Sequence, residues 1–359
     1  MKILMTGTDG YIGSVMADVL LGFGHKVTGI DTGFYRAGWL YDGVTRIPAT
    51  ITRDVRDLTV DDLAGADAVV HLAELSNDPL GQLAPEVTFE INHRGSVGLA
   101  RLAREAGVPR FVYMSSCSVY GIGSDAPVTE ASPLNPQTAY AECKVLVERD
   151  VGALADDTFH PTFLRNATAF GASPRMRFDI VLNNLMGVAW TTGEVRMTSD
   201  GSPWRPLVHI RDISEAVRRI LEAPTEAIHG QILNVGSDEQ NYRVREIAEI
   251  VSAAVPDCQT MFGPPSADNR SYRVRFDHIG EVLPGFACAW NAEAGAAELA
   301  TVFRRIGLDA DLFMSRGFTR LDQLTYLLET GQLDDRLRWT AEGGGLATPP
   351  PQAAAEVAG

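Results

Sequence analysis

Tyr140 and Lys144 stand four residues apart in Tyr140-Ala141-Glu142-Cys143-Lys144, inside a stretch whose pattern predicts a helix over 137–155. Positions i and i+4 share a helix face, so the phenol and the ammonium project together. An ammonium beside a phenol stabilises the phenolate and draws its pKa from about 10 toward neutrality, which makes a usable general base. Taken alone, the spacing is equally that of a surface helix pair. Lys144, however, is one of only three lysines among 31 basic residues. A second polar group comes from Met114-Ser115-Ser116-Cys117-Ser118-Val119-Tyr120-Gly121. There a serine hydroxyl could hydrogen-bond the oxygen whose proton Tyr140 removes, or the serines only satisfy turn backbone groups.

Near the start, an apolar run enters Thr6-Gly7-Thr8-Asp9-Gly10-Tyr11-Ile12-Gly13 and then a helical pattern. Glycines at 7, 10 and 13 suit a sharp turn, a pyrophosphate lying on the backbone, and a helix packed close to a sheet. The other reading is a glycine-rich turn without a ligand. Asp31 ends the next strand 24 residues after Gly7, near the expected place of an acid that holds ribose hydroxyls. A carboxylate there repels a 2′-phosphate, so NAD is expected rather than NADP. Asp54 and Val55 follow the third strand within reach of an adenine, and His71-Leu72-Ala73-Glu74 follows the fourth. Glu74 is either a cofactor residue or a solvated loop acid.

The elements that must position these groups are strands predicted at 2–6, 26–30, 50–52, 67–72, 109–115 and 160–165, with helices at 11–22, 60–64, 85–106 and 137–155. Apolar strands alternating with helices predict an α/β fold, a Rossmann-type doubly wound parallel sheet. After Gly171 the alternation loosens into a Pro- and Arg-containing stretch with one helical piece around 179–190; further helices are predicted at 242–254, 295–306 and 319–330. The expected division is 1–171 plus about 208–235 as the nucleotide-binding domain and 172–207 plus 236–340 as a smaller α/β substrate domain. Residues 341–359, rich in Gly, Ala and Pro, read as a disordered tail. The aromatic loop 33–41 either shapes the pocket or packs on the domain edge.

Composition narrows the function. The 359 residues are 45% hydrophobic and 21% charged, and 31 basic against 46 acidic residues leave a net charge of −15. That balance disfavours a general nucleic-acid binder or an anionic-membrane binder. Four scattered cysteines (117, 143, 258 and 288) and seven scattered histidines show no metal-ligand spacing, so no metal is expected. The chain opens on a strand rather than a basic leader with an apolar core, and no run approaches a membrane span. A soluble cytoplasmic protein is the expectation.

Together T-G-x-x-G-Y-I-G, H-L-A, S-S-x-S-V-Y-G, Y-x-x-x-K, N-N-L and V-H-x-x-D-I resemble the extended short-chain dehydrogenase/reductases, in particular nucleotide-sugar epimerases and dehydratases, over residues 1 to about 285. The resemblance implies a triad of Ser116, Tyr140 and Lys144. It also implies a bound NAD, held by Gly7, Gly10, Tyr11, Ile12, Gly13, Asp31, Asp54, Val55, Leu72, Ala73, Glu74, Asn92, Ser115 and Asn166 as well as Tyr140 and Lys144. A homodimer built from the 85–106 and 137–155 helices is implied too. On the substrate side it assigns Asn184, Arg205 and Arg270 to a nucleotide diphosphate, and Ser76, Asn77, Ser116, Ser118 and Thr168 to the sugar.

The family's 4,6-dehydratases carry Asp-Glu directly after the triad hydroxyl, and its decarboxylases a Glu at the second position; this chain has Cys117-Ser118. The resemblance therefore implies an epimerase: oxidation to a keto-sugar, most often at C4, and re-reduction on the other face. Dehydratase, decarboxylase and ketoreductase remain the enzymatic alternatives, and an NAD-binding sensor or scaffold the non-enzymatic one. Cys117 and Ser118 are candidates for a further acid/base by proximity alone.

Overall fold

The computed structural model describes residues 1–76, 84–122, 126–197, 199–264 and 271–341. Its centre is a seven-stranded parallel sheet in the order β10-β6-β5-β4-β1-β2-β3. These strands are β1 (Lys2–Thr6), β2 (Lys26–Asp31), β3 (Ala49–Thr52), β4 (Ala68–His71), β5 (Arg110–Ser116), β6 (His160–Asn166) and β10 (Ile232–Val235). In β4 all four residues are buried, as a strand covered on both faces requires, whereas edge strand β3 is largely exposed. The pleat sends alternate side chains to opposite layers. Ile3 and Met5 pack with helices α1 (Tyr11–Gly22) and α5 (Ile210–Glu222), through Met16, Leu20, Ile213 and Val217. Leu4, Val69, Phe111 and Tyr113 pack with α2 (Ser96–Glu105) and α3 (Ala139–Gly152), through Leu99 and Val147. This is the doubly wound fold expected from the alternation.

The helix predicted over 85–106 is interrupted. Pro85–Thr88 is α-helical, Phe89–Gly95 widens into a π-turn, and only Ser96–Glu105 resumes the α-ladder. In the widened turn the Asn92 amide grips Leu75, accepting from its N–H at 2.8 Å and donating to its carbonyl at 2.9 Å.

A second core gathers around Phe170, Phe178, Met186, Ile247, Leu299 and Phe303. It is built by helices α4 (Val181–Thr192), α6 (Val244–Ala254) and α7 (Ala292–Ile306) with two small sheets. One sheet orders β11 (Asn241–Arg243), β9 (Trp204–His209) and β7 (Thr168–Phe170); the other pairs β12 (Gln259–Met261) with β8 (Glu194–Arg196). Sequence alone did not anticipate β7, which leaves the central sheet directly after β6.

The last described helix, α8 (Arg320–Glu329), returns to the first half of the chain. Leu324, Leu327, Leu333 and Leu337 form a small core with Phe34, Leu75 and Ile91. The Trp339 indole donates to the Thr32 carbonyl at 2.8 Å, and the Gln323 amide to the Phe34 carbonyl at 3.0 Å. The aromatic 33–41 loop is thus packed at the domain edge, while Phe34 and Tyr35 also line the main cavity. Among the described residues no helix is long and apolar enough to cross a membrane, and no group of His, Cys, Asp or Glu gathers to hold a metal. The predicted tail beyond 341, together with Asn77 and Arg270, lies outside the described residues.

Candidate active site

A cavity of about 610 Å³ opens at the carboxyl ends of β1, β2, β4, β5 and β6, where ligands of open α/β sheets bind. At one end stands the glycine turn. Gly7 has φ +77°, and a Cβ there would sit 2.9 Å from the Ala73 nitrogen. A Cβ at Gly13 would lie 2.0 Å from the Gly7 carbonyl oxygen. Without those side chains the backbone is open to the cavity. Helix α1 begins there with Gly10 as N-cap, no side-chain cap and no acid in its first turn. Its first amides are left for an anionic ligand. Gly10, Ile12, Leu72 and Ala73 line this end, as does Tyr11. The Tyr11 hydroxyl, however, turns inward, donating to the Gly171 carbonyl at 2.7 Å and accepting from Asn183 at 3.0 Å.

Asp31 stands at the end of β2, accepting from the Gly33 and Asp9 amides at 2.8 and 3.0 Å. Arg36 pairs with the Asp9 carboxylate at 2.8 Å. Burial, followed by the charge of Asp9, pushes the Asp31 carboxyl up to about 6. Only the ionised form is purely an acceptor for ribose hydroxyls, so cofactor affinity is expected to be full near pH 8 and to decline as pH falls through about 6. Asp31→Ala is expected to weaken NAD about tenfold or more and to flatten this pH profile. Isothermal titration across pH 5–8 checks both, and an unchanged affinity would refute the placement. Asp54 and Val55 border the same end; Asp54 pairs with Arg56 at 2.7 Å. Burial opposes its charge, but the bonds from Arg56 prevail and hold its carboxyl below the usual range.

At the other end are Ser116, Tyr140, Lys144, Asn166 and Thr168. Helix α3 starts at Thr138, whose hydroxyl accepts from the Ala141 amide at 3.2 Å, and this fixes the first turn that carries Tyr140. The Lys144 ammonium lies 5.2 Å from the Tyr140 ring centroid and donates to the Met114 carbonyl at 2.5 Å. It also meets Glu74 at 2.5 Å, with 5% and 2% of the two side chains exposed. Burial disfavours the ammonium, but Glu74 and then Tyr140 outweigh it and hold the Lys144 pKa above its ordinary value. Glu74 accepts from the Tyr113 hydroxyl at 2.6 Å as well. Reading Glu74 as a solvated loop acid is therefore wrong: its carboxylate is the buried counter-charge of the lysine. Neighbouring His71, bonded to Thr6 and Ser96, is pushed down to about 3 by burial and then by Lys144, so it is a neutral framework residue.

Several expected residues lie elsewhere. Asn92 is buried on Leu75, away from the cavity lining. Asn184 caps the Phe178 carbonyl at 2.8 Å and does not line the cavity either. Ser115 lines it, but its hydroxyl donates to Glu148 at 2.5 Å. The Cys117 thiol points into the core onto the Arg165 carbonyl, and burial raises its pKa far above normal, which removes it as an acid/base. Ser118 lines a smaller cavity of about 170 Å³ that shares Ser116, Asn166, Thr168 and Arg205 with the larger one. The Ser118 hydroxyl and the Asn166 carbonyl oxygen are buried there without a hydrogen-bond partner among the described residues. Buried polar atoms of this kind are paired in most proteins, so the two mark places for ligand groups. Ser76 lines the larger cavity and accepts from Arg177 at 3.0 Å.

The sequence reading missed Arg177, Asp179 and Arg320, which line the cavity beside Tyr35 of the 33–41 loop. Arg177 and Asp179 pair at 2.8 Å, and their spacing in Arg177-Phe178-Asp179 was a legible signal. It also missed Glu148, which lies four residues beyond Lys144 and pairs with Arg165 of β6 at 2.6 Å beneath the site.

A model of the NAD dependent epimerase/dehydratase family matches residues 3–236. The chain is 29% identical over 318 residues to a UDP-glucose 4-epimerase of Mycolicibacterium smegmatis, covering 83% of this chain and 96% of that one. Among solved structures it resembles TunA, described as an NAD-dependent NDP-hexosamine 5,6-dehydratase involved in tunicamycin biosynthesis. That match has TM-score 0.75 and 25% identity, over 85% of this chain and 98% of TunA. It also resembles MoeE5 in complex with UDP-glucose and NAD, at TM-score 0.71 and 25% identity, over 85% of this chain and 99% of MoeE5. NAD is the cofactor that the open turn, the uncapped helix and Asp31 fit.

Proposed function

Because the chain belongs to the NAD-dependent epimerase/dehydratase family, we propose that it is a nucleotide-sugar epimerase that inverts C4 of a UDP-hexose. The observation that carries this reading is the makeup of the catalytic end. Tyr140 and Lys144 line one cavity with Ser116, Asn166 and Thr168, and among the described residues no carboxylate lines the smaller cavity beside them. Elimination of water calls for a further acid and base there; epimerisation does not. The relatives named UDP-glucose 4-epimerase support the same choice of nucleotide and carbon.

NAD, when bound, supplies the acceptor and then the donor of the hydride. Tyr140, with Lys144 favouring its ionised form, takes the proton from the C4 hydroxyl, and Ser116 orients that oxygen. The keto-sugar turns over within the cavity, and Tyr140 returns the proton to the new alkoxide. Arg205, which lines both cavities, meets the substrate diphosphate in this reading, where a planar guanidinium grips two oxygens at once. The enzyme works as a cytoplasmic homodimer in this reading, which sedimentation tests.

Incubation with UDP-glucose, UDP-galactose and a wider nucleotide-sugar panel, followed by NMR, tests the activity. Interconversion of C4 epimers with no net gain of reduced cofactor is expected. Loss of water or carbon dioxide from a substrate would replace the epimerase by a dehydratase or a decarboxylase, and an inert panel would overturn an enzymatic role on these sugars.

A further inference from the structure

The segment containing α8 lies beyond the family match at residues 3–236, yet it places a cation in the cofactor cleft. Arg320, the first residue of α8, is 4% exposed and stacks on the Tyr35 ring at 3.9 Å. Among the described residues it makes no ion pair within 4 Å. A buried cation left in that state has a large desolvation cost, so something must compensate it. The charged groups it senses are Arg177, Asp179 and Asp31. Asp179 is already engaged by Arg177 in a two-pronged pair, with bonds of 2.8 and 3.0 Å. Asp179 is thus already paired, and neither it nor Asp31 comes within ion-pair distance of Arg320.

Position identifies the missing anion. Arg320 and Arg177 line the same cavity as Asp31, at its ribose end, and Tyr140, at its catalytic end. The uncapped N-terminus of α1 opens on the same cavity, through Gly10, Tyr11 and Ile12. A dinucleotide stretched from Asp31 to Tyr140 has its diphosphate between those two ends. We infer that Arg320, with Arg177, binds the diphosphate of NAD together with the N-terminus of α1, and that the C-terminal segment is a clasp holding the cofactor in the protein. Trp339 on Thr32 and Gln323 on Phe34 fasten the segment to the loop that follows Asp31. The inference rests on NAD binding, not on which sugar reaction follows.

Nucleotide-free full-length protein and its Arg320→Gln and Arg320→Lys variants are titrated calorimetrically with ADP-ribose, which carries the diphosphate, and with adenosine, which does not. Arg320→Gln is expected to weaken ADP-ribose about tenfold or more, with adenosine changed less than about twofold; Arg320→Lys retains most of the affinity. Nucleotide-free Arg320→Gln is expected to melt no lower than wild type, because an uncompensated buried charge is removed, while its stabilisation by ADP-ribose shrinks. Unchanged ADP-ribose affinity in Arg320→Gln would overturn the proposal. So would an equal loss of adenosine, which would mean the arginine only supports the 33–41 loop. A nucleotide-free Gln variant that melts lower or fails to fold would overturn it as well, and the Lys variant then shows whether charge or packing was lost.

Discussion

Tyr140→Phe is expected to lower turnover by at least about 10²-fold while the purified protein keeps its NAD, because the change removes one hydroxyl and nothing of the ring. The phenol is the ionisable group at the catalytic end that can take a proton and give it back. Lys144 uses its bonds on Met114 and Glu74 and stays charged at neutral pH. Ser116 cannot ionise there, and its oxygen already accepts from the Ser118 amide at 3.1 Å. Steady-state rates with the sugar identified by the NMR panel, set beside cofactor content from absorbance and mass, separate chemistry from binding. Near-wild-type turnover would remove Tyr140 as the base, whereas lost cofactor would make it a binding residue.

Glu74→Ala should be the most damaging single change to stability. Its carboxylate and the Lys144 ammonium are both almost fully buried, so deleting one strands the other; uncompensated charges of this kind cost about 3–5 kcal/mol. Tyr113 would lose its acceptor at the same time. Glu74→Gln keeps an acceptor for Tyr113 and should be milder. The double change Glu74→Ala with Lys144→Met should recover much of the loss, since no lone charge remains. Urea unfolding of the three variants measures this, and an unshifted midpoint for Glu74→Ala would show that water already reaches the lysine.

Much of this was legible in the sequence, where the relevant physics is local. The apolar run, the three glycines and the helix after them dictate β1, the turn and α1 between Lys2 and Gly22. The i, i+4 spacing of Tyr140 and Lys144 requires only that 139–152 be helical. What stayed hidden depends on partners distant along the chain. Nothing near Glu74 announces that a lysine seventy residues later will need a counter-charge. Nothing near Arg320 announces Tyr35. Asn92 and Asn184 show the converse: each amide has its expected place in the chain, yet backbone groups of Leu75 and Phe178 occupy it. A position carries a residue type forward, but not the competition for its hydrogen bonds. The π-turn at Phe89–Gly95 is invisible for the same reason, as its sequence keeps the apolar spacing of an ordinary helix.

Synthesis proceeds from the amino end, and that gives the late return of α8 a temporal meaning. The Thr32 carbonyl must wait for Trp339, 307 positions downstream, and the Phe34 carbonyl for Gln323, 289 downstream. A nascent chain emerging from the ribosome can complete the parallel sheet and its nucleotide turn long before these contacts exist. The loop beside Asp31 therefore gains these two fastenings only after residues 323 and 339 have been made.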